Sequence, residues 1–188
     1  MGTPRGWGTD WSRDGKVVLY LRPSEKGDAD LWIAPQDREP SGGEQKPFPY
    51  LQSPFTEESA VFSPDGRWIA YVSDESGRQE VYVQAFPLTN EKDRISTGGG
   101  TDPAWRSDGT ELFYLAADRN LMAVPVRASA TAFEPGAAKV LFPIPGNTVR
   151  RAYEPSGDGG RFLIARPMDE AIAVPITVVL NWYAGIKN

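Results

Sequence analysis

The sequence predicts an all-β chain built as a β-propeller of about four blades, and a repeated phrase is the main reason. An aromatic or apolar residue, a Ser or Arg, and then Asp-Gly recur as Trp11-Ser-Arg-Asp-Gly15, Phe62-Ser-Pro-Asp-Gly66, Trp105-Arg-Ser-Asp-Gly109 and Tyr153-Glu-Pro-Ser-Gly-Asp-Gly159. The aspartates at 14, 65, 108 and 158 are spaced by 51, 43 and 50 residues. A period of about 40 to 50 residues filled with short strands is the mark of propeller blades. Each copy is followed by an apolar run, and no helix-period segment exceeds a turn or two.

Each element follows from local chemistry. Aspartate hydrogen-bonds backbone two residues on, and glycine accepts positive φ, so each Asp-Gly predicts a hairpin turn. The strands after these turns are Val17–Leu21, Trp68–Val72, Leu112–Leu115 and Phe162–Ala165. They are apolar at successive positions, as a strand covered on both faces must be. A second strand follows each time, over Leu31–Ala34, Val81–Gln84, Leu121–Val124 and Ile176–Leu180. The hairpins between carry Gly27-Asp28, Ser76-Gly77 and Asp118-Arg119-Asn120. Weaker outer strands are expected at Phe48–Gln52, Arg94–Thr97 and Lys139–Phe142, where Pro47, Pro49 and Pro143 suit a blade edge.

Residues 1–188 therefore read as a single propeller segment, with blades over approximately 7–52, 53–97, 98–143 and 144–188. The first repeat starts almost at once, and the last has no outer strand after Ile176–Trp182. Repeat arrays protect their terminal units, so the expectation is an incomplete ring, the C-terminal part of a larger propeller.

Composition removes several chemistries. The chain has no Cys and no His, which excludes disulfides, Cys/His zinc sites and Ser-His or Cys-His nucleophiles. Net charge is −5 and the densest basic spot is Arg150-Arg151, which disfavours nucleic acid as a partner. The run Ala171–Leu180 holds Pro175 and is far short of the ~20 residues that span a bilayer. No secretory signal is visible, and membrane insertion by this segment is not expected.

No residue stands out as catalytic, cofactor-binding or metal-ligating, and the ligand-binding residues are not legible. Gly98-Gly99-Gly100-Thr101-Asp102 could form an anion nest, but it lacks the Gly-Lys-Ser/Thr ending of a phosphate loop and reads as an interblade turn. Asp14, Asp65, Asp108 and Asp158 each have a turn to serve rather than a shared metal. Asp74-Glu75 and Asp28-Ala29-Asp30 read as solvated loop charge. Ser12, Ser63, Ser107 and Ser156 sit inside the repeat, no Gly-x-Ser-x-Gly elbow exists, and they are expected to be structural. Trp11, Trp68 and Trp105 should pack between blades, whereas Trp7 lies outside the repeat, as part of a binding surface or the cover of an open end.

The phrase from Phe62 to Tyr71, FSPDGRWIAY, resembles the TolB-type, WD-repeat-like propeller repeat. Residues Phe62–Phe86, Ser96–Trp105, Glu111–Val126 and Pro175–Lys187 further resemble the C-terminal propeller region of bacterial membrane serine/threonine protein kinases of the acidobacterial type. The fourth copy departs from the pattern, with Gly157 for the usual Pro and Pro155 at an apolar strand position. The kinase motifs are absent, so kinase activity does not carry over. The resemblance implies a non-enzymatic, extracytoplasmic sensor or interaction module without cofactor. Its partner would be a protein, peptide or small extracellular ligand docking on the loops of one ring face. Two alternatives stand beside it: a prolyl oligopeptidase-type propeller without its hydrolase domain, and a structural half-propeller that self-associates through open ring edges.

Overall fold

The structure, a computed structural model, describes residues 6–24, 28–36, 45–129, 132–144 and 153–165. Every regular element among them is a strand. Four antiparallel sheets follow one another along the chain. The first is β1 (Trp7–Trp11), β2 (Val17–Pro23), β3 (Ala29–Pro35) and β4 (Phe48–Leu51), and the second β5 (Glu57–Phe62), β6 (Trp68–Ser73), β7 (Glu80–Ala85) and β8 (Lys92–Arg94). The third is β9 (Gly100–Trp105), β10 (Glu111–Ala116) and β11 (Asn120–Ala128), with both β12 (Phe133–Pro135) and β13 (Lys139–Pro143) paired to β11. The fourth pairs β14 (Tyr153–Pro155) with β15 (Phe162–Ile164). The strand expected over Ile176–Leu180 lies outside the described residues.

The first strand of each sheet lies against the first strand of the next, β1 on β5, β5 on β9 and β9 on β14. That is the radial arrangement of propeller blades, innermost strands around one axis. These innermost strands precede the repeated turn and escape the sequence reading. Gly100-Thr-Asp-Pro-Ala-Trp105 carries Gly, Asp and Pro, which disfavour strands, and β1, β5 and β9 are interrupted by bulges. Trp7 consequently belongs to β1 and not outside the repeat. The third blade's middle strand is also longer than expected, and the second blade's outer strand is Lys92–Arg94, two residues earlier than expected. Ile95 continues the pairing irregularly, its N–H donating to the Val81 carbonyl at 2.8 Å.

Each repeated Asp-Gly turn closes the same way. The Gly15, Gly66, Gly109 and Gly159 N–H groups donate to the carbonyl three residues back at 2.8, 2.9, 2.9 and 2.8 Å. Only the glycine has positive φ, between 67° and 74°. The loop is therefore a four-residue hairpin, not the two-residue type I′ turn that Asp-Gly alone suggests.

The core lies between blades. Leu19, Leu21, Leu31 and Ile33 of the first blade meet Phe62, Ile69, Tyr71 and Tyr82 of the second. Trp68, Ala70, Val72, Val81 and Val83 on the second blade's other face meet Leu112, Tyr114, Val124 and Val126. Phe113, Leu115, Leu121 and Ala123 then meet Tyr153, Phe162 and Ile164. The period-2 alternation of strand faces explains this. The fourth residue after each aspartate faces the preceding blade, and the fifth faces the following one. Trp68 and Trp105 pack between blades, both against Phe133 at ring separations of 5.1 and 6.2 Å. Trp11 departs from that expectation: it is 57% exposed, because no described element covers its face of the first blade.

Candidate functional site

The innermost strands converge on a cleft of about 490 Å³ at the axis. Asp10 of β1, Ser59 and Val61 of β5, Asp102 and Ala104 of β9, and Tyr153 and Glu154 of β14 line it. Arg13, Pro64 and Ser107, each the residue before the aspartate of a repeated turn, complete its rim. The cleft therefore opens on the ring face that carries these turns.

Backbone irregularity shapes this mouth. Pairing slips between Gly8 and Asp10 in β1, between Glu58 and Val61 in β5, and on β9 opposite Tyr114. The three bulges occupy one repeat position, six to four residues before the aspartate. Gly8, Ser59 and Asp102 are equivalent there, and Ser59 and Asp102 both sit at φ 51°. A non-glycine residue in that region costs on the order of 1–3 kcal/mol, and bulges with such residues gather next to functional sites.

The charges have distinct jobs. Asp10 accepts from the Trp11 N–H through Oδ1 and from the Phe62 N–H through Oδ2, both at 2.8 Å, so it ties the first blade to the second. The Tyr153 hydroxyl donates to the Asp102 carbonyl at 2.7 Å, and the Ser107 hydroxyl to the Gly157 carbonyl, tying the third blade to the fourth. Burial pushes the Tyr153 hydroxyl far above the ordinary tyrosine range, so it stays a donor. Neither Arg13 nor Glu154 forms an ion pair with a described residue. The mouth thus presents one cation and three carboxylates over an apolar floor of Val61, Phe62 and Trp105.

No family model matches the chain, and no curated protein matches it by sequence. Solved structures do resemble it. TolB from Acinetobacter baumannii aligns with TM-score 0.59 at 17% identity, over 82% of this chain and 36% of that one. A protein assigned as TolB from Agrobacterium tumefaciens aligns with TM-score 0.55 at 18% identity, over 76% of this chain and 52% of that one. The fold is a TolB-like β-propeller. The periplasmic gluconolactonase of Pseudomonas aeruginosa shares it, with TM-score 0.52 at 16% identity, over 81% of this chain and 48% of that one. This propeller thus spans about half or less of the length of the structures it matches.

Of the residues singled out from sequence, Asp102, Trp105 and Ser107 reach the cleft, and the others fall elsewhere on the propeller. Gly98-Gly99-Gly100 does form a nest, but its anion is internal. The Glu80 carboxylate, 2% exposed, accepts from the Gly98 and Gly99 N–H groups, each at 2.9 Å, and from the Ser96 hydroxyl. The loop is an interblade turn, and a Cβ at Gly99 would stand 2.7 Å from that of Ala117.

The repeated aspartates serve their own turns. Ser12, Ser63 and Ser156 donate to Asp14, Asp65 and Asp158 at 2.7, 2.6 and 2.5 Å. Each serine oxygen also accepts a backbone N–H five residues on, at 3.0 Å. Ser107 is out of register with them, because Arg106 holds the serine position. In that turn Thr110 donates its hydroxyl to Asp108 at 2.7 Å instead. These hydrogen bonds hold Asp14, Asp108 and Asp158 below the ordinary carboxylate range.

Asp30 is not loop charge: it lies in β3, is buried, and accepts from the Gln52 amide at 3.2 Å. Asp74 accepts the Thr56 N–H at 3.0 Å, and Glu75 pairs with Lys92. Glu57 was not singled out, yet it is 1% exposed, with Ser53 donating to it at 2.6 Å. Burial pushes its carboxyl up to about 7. The signal was present: Glu57 stands where the first and third repeats carry Gly6 and Gly100.

Among the described residues no cluster of three acids could hold a metal, and no helix is long and apolar enough to cross a membrane.

Proposed function

We propose that this chain is a non-enzymatic interaction module that docks a protein, a peptide or a small extracellular ligand on its axial mouth. The observation that carries the reading is the mouth itself. Bulged strands in a TolB-like fold frame an apolar floor rimmed by Arg13 and Glu154, neither held in an ion pair with a described residue. Ligand sites of this form use a few placed polar groups over an apolar lining. The sequence contains no His or Cys to activate a nucleophile.

The setting we propose is the extracytoplasmic sensor end of a receptor-like bacterial serine/threonine kinase. The kinase-like phrases of Phe62–Phe86 and Glu111–Val126 support it, and one propeller of similar fold is a periplasmic protein. An in-frame kinase domain and membrane helix encoded upstream are the expected genomic context, and their absence would remove that setting.

Immobilised chain exposed to periplasmic extract is expected to retain a defined set of proteins or peptides. An Arg13→Glu, Glu154→Lys double variant should lose that set while keeping its circular dichroism. An identical set on both forms would overturn the mouth as the docking place.

The fold shared with a gluconolactonase favours one second reading, a lactone hydrolase. Incubation with glucono-δ-lactone separates the two, since a docking module leaves its spontaneous hydrolysis rate unchanged.

A further inference from the structure

Two clamps hold the bulge of β5, the strand that supplies Ser59, Val61 and Phe62 to the cleft. At its far end the Phe62 N–H donates to Asp10 Oδ2 at 2.8 Å. At its start Glu57 stands opposite Ser73 in register. Between the two, pairing slips from Glu58 to Val61, and Ser59 is held at φ 51°. A non-glycine residue keeps that conformation only where its surroundings over-determine it.

Glu57 fits its place in one protonation state. Its side chain is 1% exposed, and the Ser53 hydroxyl, from the connector after the first blade, donates to Oε1 at 2.6 Å. The Ser73 hydroxyl lies 3.5 Å from the same oxygen. Oε2 is out of water without a hydrogen-bond partner. The charged groups that face it are acids: Asp30 of β3, 6% exposed, and Asp74 of the β6–β7 hairpin. Gln52, beside Ser53, donates to Asp30, so both buried acids hang on the same connector. Glu75, next in the hairpin, is paired with Lys92, and Tyr71 of β6 stays a neutral donor to Gln84. No described cation forms an ion pair with Glu57, Asp30 or Asp74. The neutral acid therefore suits this site, whereas the carboxylate would be a desolvated charge beside two like charges.

We propose that Glu57 is a pH-operated latch on the axial mouth. Protonated, it holds the start of β5 closed; ionised, it releases the Ser53 connector and relaxes the Ser59 bulge. Release carries the carboxylate into water, where solvent screens it from Asp30 and Asp74. The Asp10–Phe62 clamp stays in place, so the opening is confined to one end of one strand. Docking on the mouth would then weaken as pH rises, and this consequence alone rests on the mouth being the docking place.

Amide exchange of the full chain, corrected for the intrinsic effect of pH on exchange, tests the latch without any ligand. From about pH 5 to about pH 8 the protection of β5 should fall about fifty-fold. At the higher pH, β5 should exchange well ahead of β10, because the opening is local and not global unfolding. Glu57→Gln should remove most of that fall. Asp30→Asn takes away a repelling neighbour and should shrink the fall several-fold. An equal fall in Glu57→Gln, an Asp30→Asn variant identical to the wild type, or β5 and β10 exchanging together would each overturn the latch. Since no ligand enters these measurements, such a failure would leave the docking reading standing.

Discussion

Ser63 shows how much of this molecule is settled at single residues. It is 4% exposed, donates to Asp65 at 2.6 Å and accepts the Trp68 N–H at 3.0 Å. Ser63→Ala should cost about 1–3 kcal/mol in urea unfolding, because it strands a buried donor. Ser156→Ala should cost less, since the Arg161 N–H it would release sits at an exposed turn. Glu57 supplies a pH signature. Its carboxyl is pushed from the ordinary 4.5 to about 7 by burial, so the native state holds a proton that the unfolded chain releases earlier. The sign follows from linkage: the stabilisation is complete below pH 4.5 and is lost as pH rises through 7. Over that window the folded state should lose on the order of 3 kcal/mol. Thermal unfolding of Glu57→Gln should fall less steeply with pH over that window than the wild type, and parallel slopes would contradict the assignment.

Among elements, the interblade turns and innermost strands matter most. The Gly98–Gly100 turn closes on Glu80, so Glu80→Ala would leave two backbone donors and the Ser96 hydroxyl without their acceptor. About 3 kcal/mol of destabilisation is expected by denaturant titration, largely recovered in Glu80→Gln, whose carbonyl still accepts. The hairpin strands were legible because their turns carry Asp-Gly and their residues are apolar on both faces. The strands β1, β5, β9 and β14 were not. Bulges in β1, β5 and β9 break the alternation on which strand recognition depends, and residues such as Gly100, Asp102 and Pro103 are poor strand formers. The candidate site was hidden for the same reason, since those four strands build it. Trp11 went astray differently: its repeat position is that of a buried residue, but burial belongs to the neighbour and not to the position.

For the whole molecule, stability should be graded along the array. The strands β6, β7 and β10 are flanked by packed blades on both faces, whereas β1 and β15 each belong to a blade that a described blade flanks on one face only. Amide exchange followed by mass spectrometry should be slowest in the former and fastest in the latter, and uniform protection would contradict a linear stack of blades. The repeat, its period and the chemistry of its turns were set by sequence alone, because each Ser-x-Asp-Gly hairpin is closed by bonds within six residues. The axial cleft, the acid that fills the glycine turn and the exposure of Trp11 were decided only by tertiary structure. Each depends on which blade stands beside which, and neighbours in space are not encoded in any local spacing.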